Sequence, residues 1–219
     1  MTAEAARRNP RAERTRAALI AAGRRLFSQR PVDAVTVDDL VQAAAVGKGS
    51  FYNHFPDREA LVRAISGEIR ASIETQVGRA NAGVDDPARR VVRAVSTYLR
   101  FALDDPERAG VLVRIHSGHT SLSAPLNRGL VEDVSQGIAS GRFRLATLEA
   151  GVLYVLGVAQ LALVRVQQEP SLSLAVGLAQ QMGALMLRGL GVPDDEAERI
   201  AAQASEEIVR QGAFAAAVA

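Results

Sequence analysis

The sequence predicts an all-α protein in two parts: an N-terminal three-helix domain over residues 11–60 and a C-terminal helical bundle over residues 61–219. Three observations carry this. Apolar residues recur at spacings of three and four along most of the 219-residue chain. β-Branched residues do not gather into bounded alternating runs. Breaks rich in Gly, Pro and Asp fall between segments of helical length. A hydrophobic share of 48% with 23% charged residues suits a soluble chain able to bury a sizeable core.

The elements follow in order. Residues 11–29 form a first helix with Ala18, Leu19, Ala22, Leu26 and Phe27 on one face, stopped at Arg30-Pro31. Thr36 followed by Asp39 reads as a capping box with Asp in place of Glu, so a second helix begins at Thr36 and runs through Leu40, Val41 and Ala44. A break at Ala45-Val46-Gly47 leads to a short third helix at 48–53, and Pro56 marks the start of a long fourth one at 57–79. The Gly- and Asp-rich stretch 81–87 is the first clear boundary. An amphipathic helix at 88–103 carries Val91, Val92, Val95, Leu99 and Ala102 on one side, and a short helix spans 107–116. A Ser/Gly-rich loop at 117–125 precedes a helix at 126–140 that Gly141 ends. Two strongly apolar helices occupy 145–168 and 172–189. Asp194-Asp195-Glu196 opens the last helix with acids at its positive end.

Composition excludes several functions. The chain has no cysteine, which removes disulfide scaffolds, cysteine-held zinc and thiol nucleophiles. No apolar run is expected to span a bilayer; the best candidate, 150–164, is short and interrupted by Gln160. The N-terminus lacks the apolar stretch of a secretory signal, so a cytoplasmic protein is expected. No Walker loop, dinucleotide fingerprint or nucleophile elbow is present, and no cofactor is expected. His116 and His119 have helical metal-pair spacing but no third ligand nearby, so no metal site is expected. An enzyme reading would have only the His116–His119 segment to stand on.

Charge is uneven. Residues 1–60 hold ten Lys and Arg against seven acids, while the rest hold sixteen against seventeen. A basic lead-in suits a polyanionic partner as well as it suits a solvated tail. The chain's single lysine, Lys48, sits in its most motif-like stretch, 36–55. There Phe51 and Phe55, four apart, supply a buried face, while Lys48, Ser50, Tyr52, Asn53 and His54 crowd a short helix with polar groups. The major groove of double-stranded DNA admits such a helix while the preceding one braces it. Lys48, His54 and Arg58, with the hydroxyls of Ser50 and Tyr52, can meet phosphates. Gly47 and Gly49 permit close backbone approach.

The run Leu26-Phe27, Thr36-Val37, Leu40, Ala44, residues 46–55 and then Arg58 to Leu61 resembles the N-terminal domain of the TetR/AcrR family of transcriptional regulators, over about residues 11–62. The resemblance implies an all-helical homodimer, DNA contacts from Thr36, Gly47, Lys48, Gly49, Ser50, Tyr52, Asn53, His54 and Arg58, and a C-terminal effector-binding and dimerisation domain. It implies a ligand-responsive repressor on a palindromic operator, with the subunits joined through the helices at about 145–168 and 172–189. An unknown small-molecule effector would sit among the helices that start near 88, 107, 126 and 145. Phe101, Leu112, Arg114, His116, Leu153, Tyr154 and Arg165 are the candidate lining, suited to an aliphatic or modestly polar effector. The alternative is a helical small-molecule-binding or scaffold protein without DNA-binding activity. Two departures stand out. Ala45 replaces the usual turn glycine, and because a left-handed backbone would strain an alanine, a different turn is expected. Gly47 replaces the usual Ser or Thr cap, a small loss.

Overall fold

The computed structural model describes residues 10–115, 121–124 and 127–212, and these residues form ten α-helices and no strand. The first three are α1 (Pro10–Gln29), α2 (Val37–Ala43) and α3 (Lys48–Tyr52). Around them α4 (Arg58–Ala80) and α5 (Pro87–Asp104) lead into α6 (Pro106–Arg114), α7 (Arg128–Ala139), α8 (Leu148–Gln168), α9 (Leu172–Gly189) and α10 (Asp194–Ala204). A 3-10 turn at Val32–Ala34 precedes α2, and a π-helical turn at Ser205–Arg210 follows α10.

The head is built on a few large side chains. Leu19 and Phe27 of α1, Leu40 of α2, Phe51 of α3 and Leu61 and Ile65 of α4 are wholly buried. A Cβ on Gly23 would come within 2.6 Å of Ile65, so α1 and α4 pack as closely as a glycine allows. The division expected at residue 60 falls inside α4, with no linker there. The first half of α4 belongs to the head, and its second half packs on α5. Helix α1 also lies against α6, where the Ser28 carbonyl faces Gly110.

In the body α5 is central, touching α4, α7, α8, α9 and α10. Arg142 clamps it from the α7–α8 connection, with bonds of 2.9–3.0 Å to Asp86 and 2.9 Å to Glu196. Burial pushes Asp86 up, but the bonds from Arg142 and the Ala88 N–H outweigh it and hold the carboxyl below its usual range. Helix α8 starts three residues later than its apolar pattern suggests: Thr147 caps it, while Leu145 folds back over Gly151. By length and composition this 21-residue helix could cross a membrane, contrary to the expectation that no segment could. Its apolarity has another use here, because Val152, Val155, Ala162, Leu163 and Val166 are buried in the bundle.

The turn between α2 and α3 overturns the expectation about Ala45. Its φ is +54°, the left-handed region. The Ala45 N–H donates to the Gln42 carbonyl at 3.1 Å and the Val46 N–H to Val41 at 3.0 Å, the pair of bonds that closes a Schellman turn. Those bonds require a left-handed residue at Ala45, so the closure prevails over the side-chain strain. Ala45→Gly should therefore stabilise the protein by about 0.5–1 kcal/mol, after the greater freedom of glycine in the unfolded chain is discounted. Urea unfolding checks this; an unchanged or lowered midpoint would show that the turn carries no strain.

Candidate nucleic-acid interface and ligand cavity

Helix α3 holds five residues, too few to be stable alone, so its neighbours hold it in place. Phe51 and Phe55 sink into the head core, their rings 5.9 Å apart. Gly47 stands at the N-cap with no side-chain cap, and a Cβ there would meet nothing within 4 Å. The opposite side faces outward. Gly47, Lys48, Gly49, Tyr52 and Asn53 are exposed, Ser50 and His54 half-buried. Tyr52 is 52% exposed, its ring edge-on to Phe51. Among the described residues the side chains of Ser50, Tyr52, Asn53 and His54 make no hydrogen bond. Lys48 meets Asp38 at 2.8 Å, and that carboxylate's bond and charge raise the lysine's pKa.

Two residues expected to contact DNA are engaged otherwise. Arg58 turns inward: its Nη1 donates to the carbonyls of Val32, Asp33 and Val35 at 3.2–3.3 Å, and its Nη2 reaches Glu59 at 2.8 Å. The Val32 carbonyl already accepts the Val35 N–H at 3.1 Å, and the guanidinium fork adds a donor to it and to the carbonyls of Asp33 and Val35. The Thr36 hydroxyl donates to Asp39 Oδ2 at 2.8 Å and accepts from the Asp39 N–H at 3.1 Å, while the Thr36 N–H donates to Asp39 Oδ2 at 2.9 Å. That is the predicted capping box, and it uses up the hydroxyl proton.

The body holds a partly open cavity of about 540 Å³ between α4, α5, α6, α7 and α8. Leu112 and Leu153 line it, as expected. Phe101 does not: it is buried elsewhere, under the Arg108 guanidinium. Arg114 bonds back to the Gly110 carbonyl at 3.1 Å and is not part of the lining, and Arg165 pairs on the surface with Glu169. Tyr154 lies over Gly189 and donates to the Leu185 carbonyl at 3.3 Å, on the outer α8–α9 face. His116 lies outside the described residues, as does His119. Among the lining residues that sequence reasoning missed are polar ones, Arg70, Glu74, Arg90, Tyr98, Asn127 and Asp133. Arg70 and Glu74 on α4 do carry a signal, four apart, but that spacing usually marks an exposed helix pair.

The outer face of α8 and α9 is unusually apolar. Among the described residues six large hydrophobics are exposed; besides Tyr52 they are Leu153, on the cavity side of α8, and Tyr154, Leu161, Leu172 and Leu185, all on these two helices.

Comparison with known proteins places this geometry. Residues 19–65 match the family model described as bacterial regulatory proteins, tetR family, and residues 86–203 match the tetracyclin repressor-like C-terminal domain. The crystal structure of RolR in complex with resorcinol is 29% identical, covers 88% of this chain and 95% of that one, and superposes with a TM-score of 0.67. A gamma-butyrolactone receptor, 20% identical with a TM-score of 0.60 over 91% of this chain and all of that one, shares the fold. The regulator EthR of Mycolicibacterium smegmatis is 27% identical over 125 residues, 50% of this chain and 54% of its own length. The repressor DhaR of Mycobacterium sp. strain GP1 is 28% identical over 95 residues, 43% of this chain and 46% of its own. The chain thus spans about half the length of the curated relatives it matches.

One cavity carboxyl titrates far from its usual range. Burial pushes Asp133 up to about 6, although Arg90 Nε lies 2.7 Å away and opposes the shift. That contact lies off the N–H axis, so it is ionic without being a hydrogen bond. The folded state therefore favours the neutral acid. The resulting stability is present at low pH and lost as pH rises through 6. Asp133→Asn should gain on the wild type by on the order of 1 kcal/mol between pH 5 and pH 7.5. Chemical denaturation at the two pH values measures this; a constant difference would contradict the assignment.

Proposed function

The chain belongs to the TetR family of transcriptional regulators, and from that premise we propose that it is a homodimeric, cytoplasmic repressor released from a palindromic operator by a small molecule held in the body cavity. The observation that carries this is α3: a short helix anchored by Phe51 and Phe55 that turns unspent hydrogen-bonding groups to solvent. Such a face fits the major groove. Lys48, Ser50, Tyr52, Asn53 and His54 are the contacts, and Gly47 and Gly49 let the backbone approach a phosphate. The Lys48–Asp38 pair is exposed on both sides, so exchanging Asp38 for a phosphate costs little. Arg58 and Thr36 serve the interface from behind, by fixing the start of α2.

A single five-residue helix reads too little sequence for useful specificity, and two heads double the contact. The exposed leucines of α8 and α9 suit a two-fold four-helix seam with the same helices of a second copy. The solved complex of RolR with resorcinol supports reading the body cavity as a site for a small organic molecule. Helix α6 links cavity to head, since Leu112 lines the one while Gly110 meets α1 of the other. A ligand that binds better to one spacing of the heads would shift the dimer toward it.

Gel shift against the DNA flanking the protein's own gene tests the regulator reading against a DNA-silent binding protein. Lys48→Ala should weaken binding on all sequences and lower the slope of log K against log salt by about 1. A changed preference at one base position would instead make Lys48 a base reader. Leu161 is 67% exposed, so Leu161→Glu should leave the subunit fold intact, halve the mass in gel filtration and cost at least about tenfold in operator affinity. A variant that remains dimeric would remove α8 from the interface.

A further inference from the structure

The cavity wall holds a buried cation without a hydrogen-bond partner. Arg70 is 9% exposed and lines the cavity, and among the described residues its guanidinium makes no hydrogen bond and no ion pair. A guanidinium carries five donors and stays charged, so leaving it buried and unpaired is costly. The other charged groups of the wall are already engaged. Glu74, one turn along α4, accepts the Tyr98 hydroxyl at 2.9 Å; its charge is felt by Arg70 but it does not reach the guanidinium as an ion pair, and Asp133 faces Arg90. Resting on the reading of this cavity as the effector site, we infer that the effector is an organic anion, with a carboxylate or sulfonate that pairs with Arg70 and an apolar body. Val77, Leu112, Leu153, Leu156 and Leu163 supply the apolar surface for that body. A cavity of about 540 Å³ has room for a bicyclic aromatic. The planar fork of Arg70 matches a two-oxygen acceptor, which a neutral alcohol or amine does not offer.

Two fluorescent dyes test this on the full-length dimer. Anilinonaphthalene sulfonate and phenylnaphthylamine share one aromatic body and differ by the sulfonate. The anionic dye should bind one per protomer and at least about tenfold more tightly than the neutral one, as expected for a buried charged hydrogen bond. Arg70→Met should erase that preference while keeping affinity for the neutral dye and for operator DNA; Arg70→Lys should retain part of it. Arg70→Gln repeats the test should the methionine variant fail to fold. Equal affinity of the two dyes for the wild type, or a preference that survives loss of the charge, overturns the inference and leaves the cavity reading standing. Failure of both dyes to bind overturns both.

Discussion

A helix of five residues cannot hold itself together, and the account of this protein depends on what holds α3. Phe51 and Phe55 pin it from below, and the Schellman closure through Ala45 and Val46 fixes its approach. Arg58 gathers the carbonyls ahead of α2, and the capping box of Thr36 and Asp39 fixes that helix's first turn. With the apolar side satisfied, every remaining position of α3 is free to be polar. A surface helix elsewhere would gain nothing from that arrangement, but a helix that enters a groove lined with phosphates and base edges does.

The same economy joins the head to the body. No flexible segment separates them: α4 runs through both, and α1 lies against α6. A change in the cavity that moves α6 must be accommodated by α1, and α1 carries the core on which α3 is seated. Close packing leaves little room for continuous deformation, so such a contact favours two discrete arrangements. The cavity wall sets the Arg90–Asp133 pair and the Tyr98–Glu74 hydrogen bond beside Arg70, whose guanidinium has no hydrogen-bond partner.

What was legible in the sequence follows from the distance over which each feature is specified. Helices declare themselves through local periodicity and local caps, and Thr36, Asp57 and Gly141 act where their chemistry says they should. The face of α3 and the two residues after it form one consecutive run, 48–54, so it too could be read directly. The cavity could not. Its polar wall draws Arg70 and Glu74 from α4, Tyr98 from α5 and Asp133 from α7, and only the packing of those helices turns an apparently solvated pair into a buried one. Arg114 and Arg165, expected in the lining, found partners on their own helices instead. Ala45 shows the opposite error. A sound steric rule predicted relief at that position, and two backbone hydrogen bonds outweighed it.

Hydroxyl-radical footprinting of the purified protein on the DNA flanking its gene tests the central claim most directly. A dimer that seats two copies of α3 in the major groove should protect two symmetric patches of backbone, their centres a whole number of helical turns apart, with protection fading as salt is raised. Uniform cleavage at low ionic strength, or a single protected patch without symmetry, would contradict it.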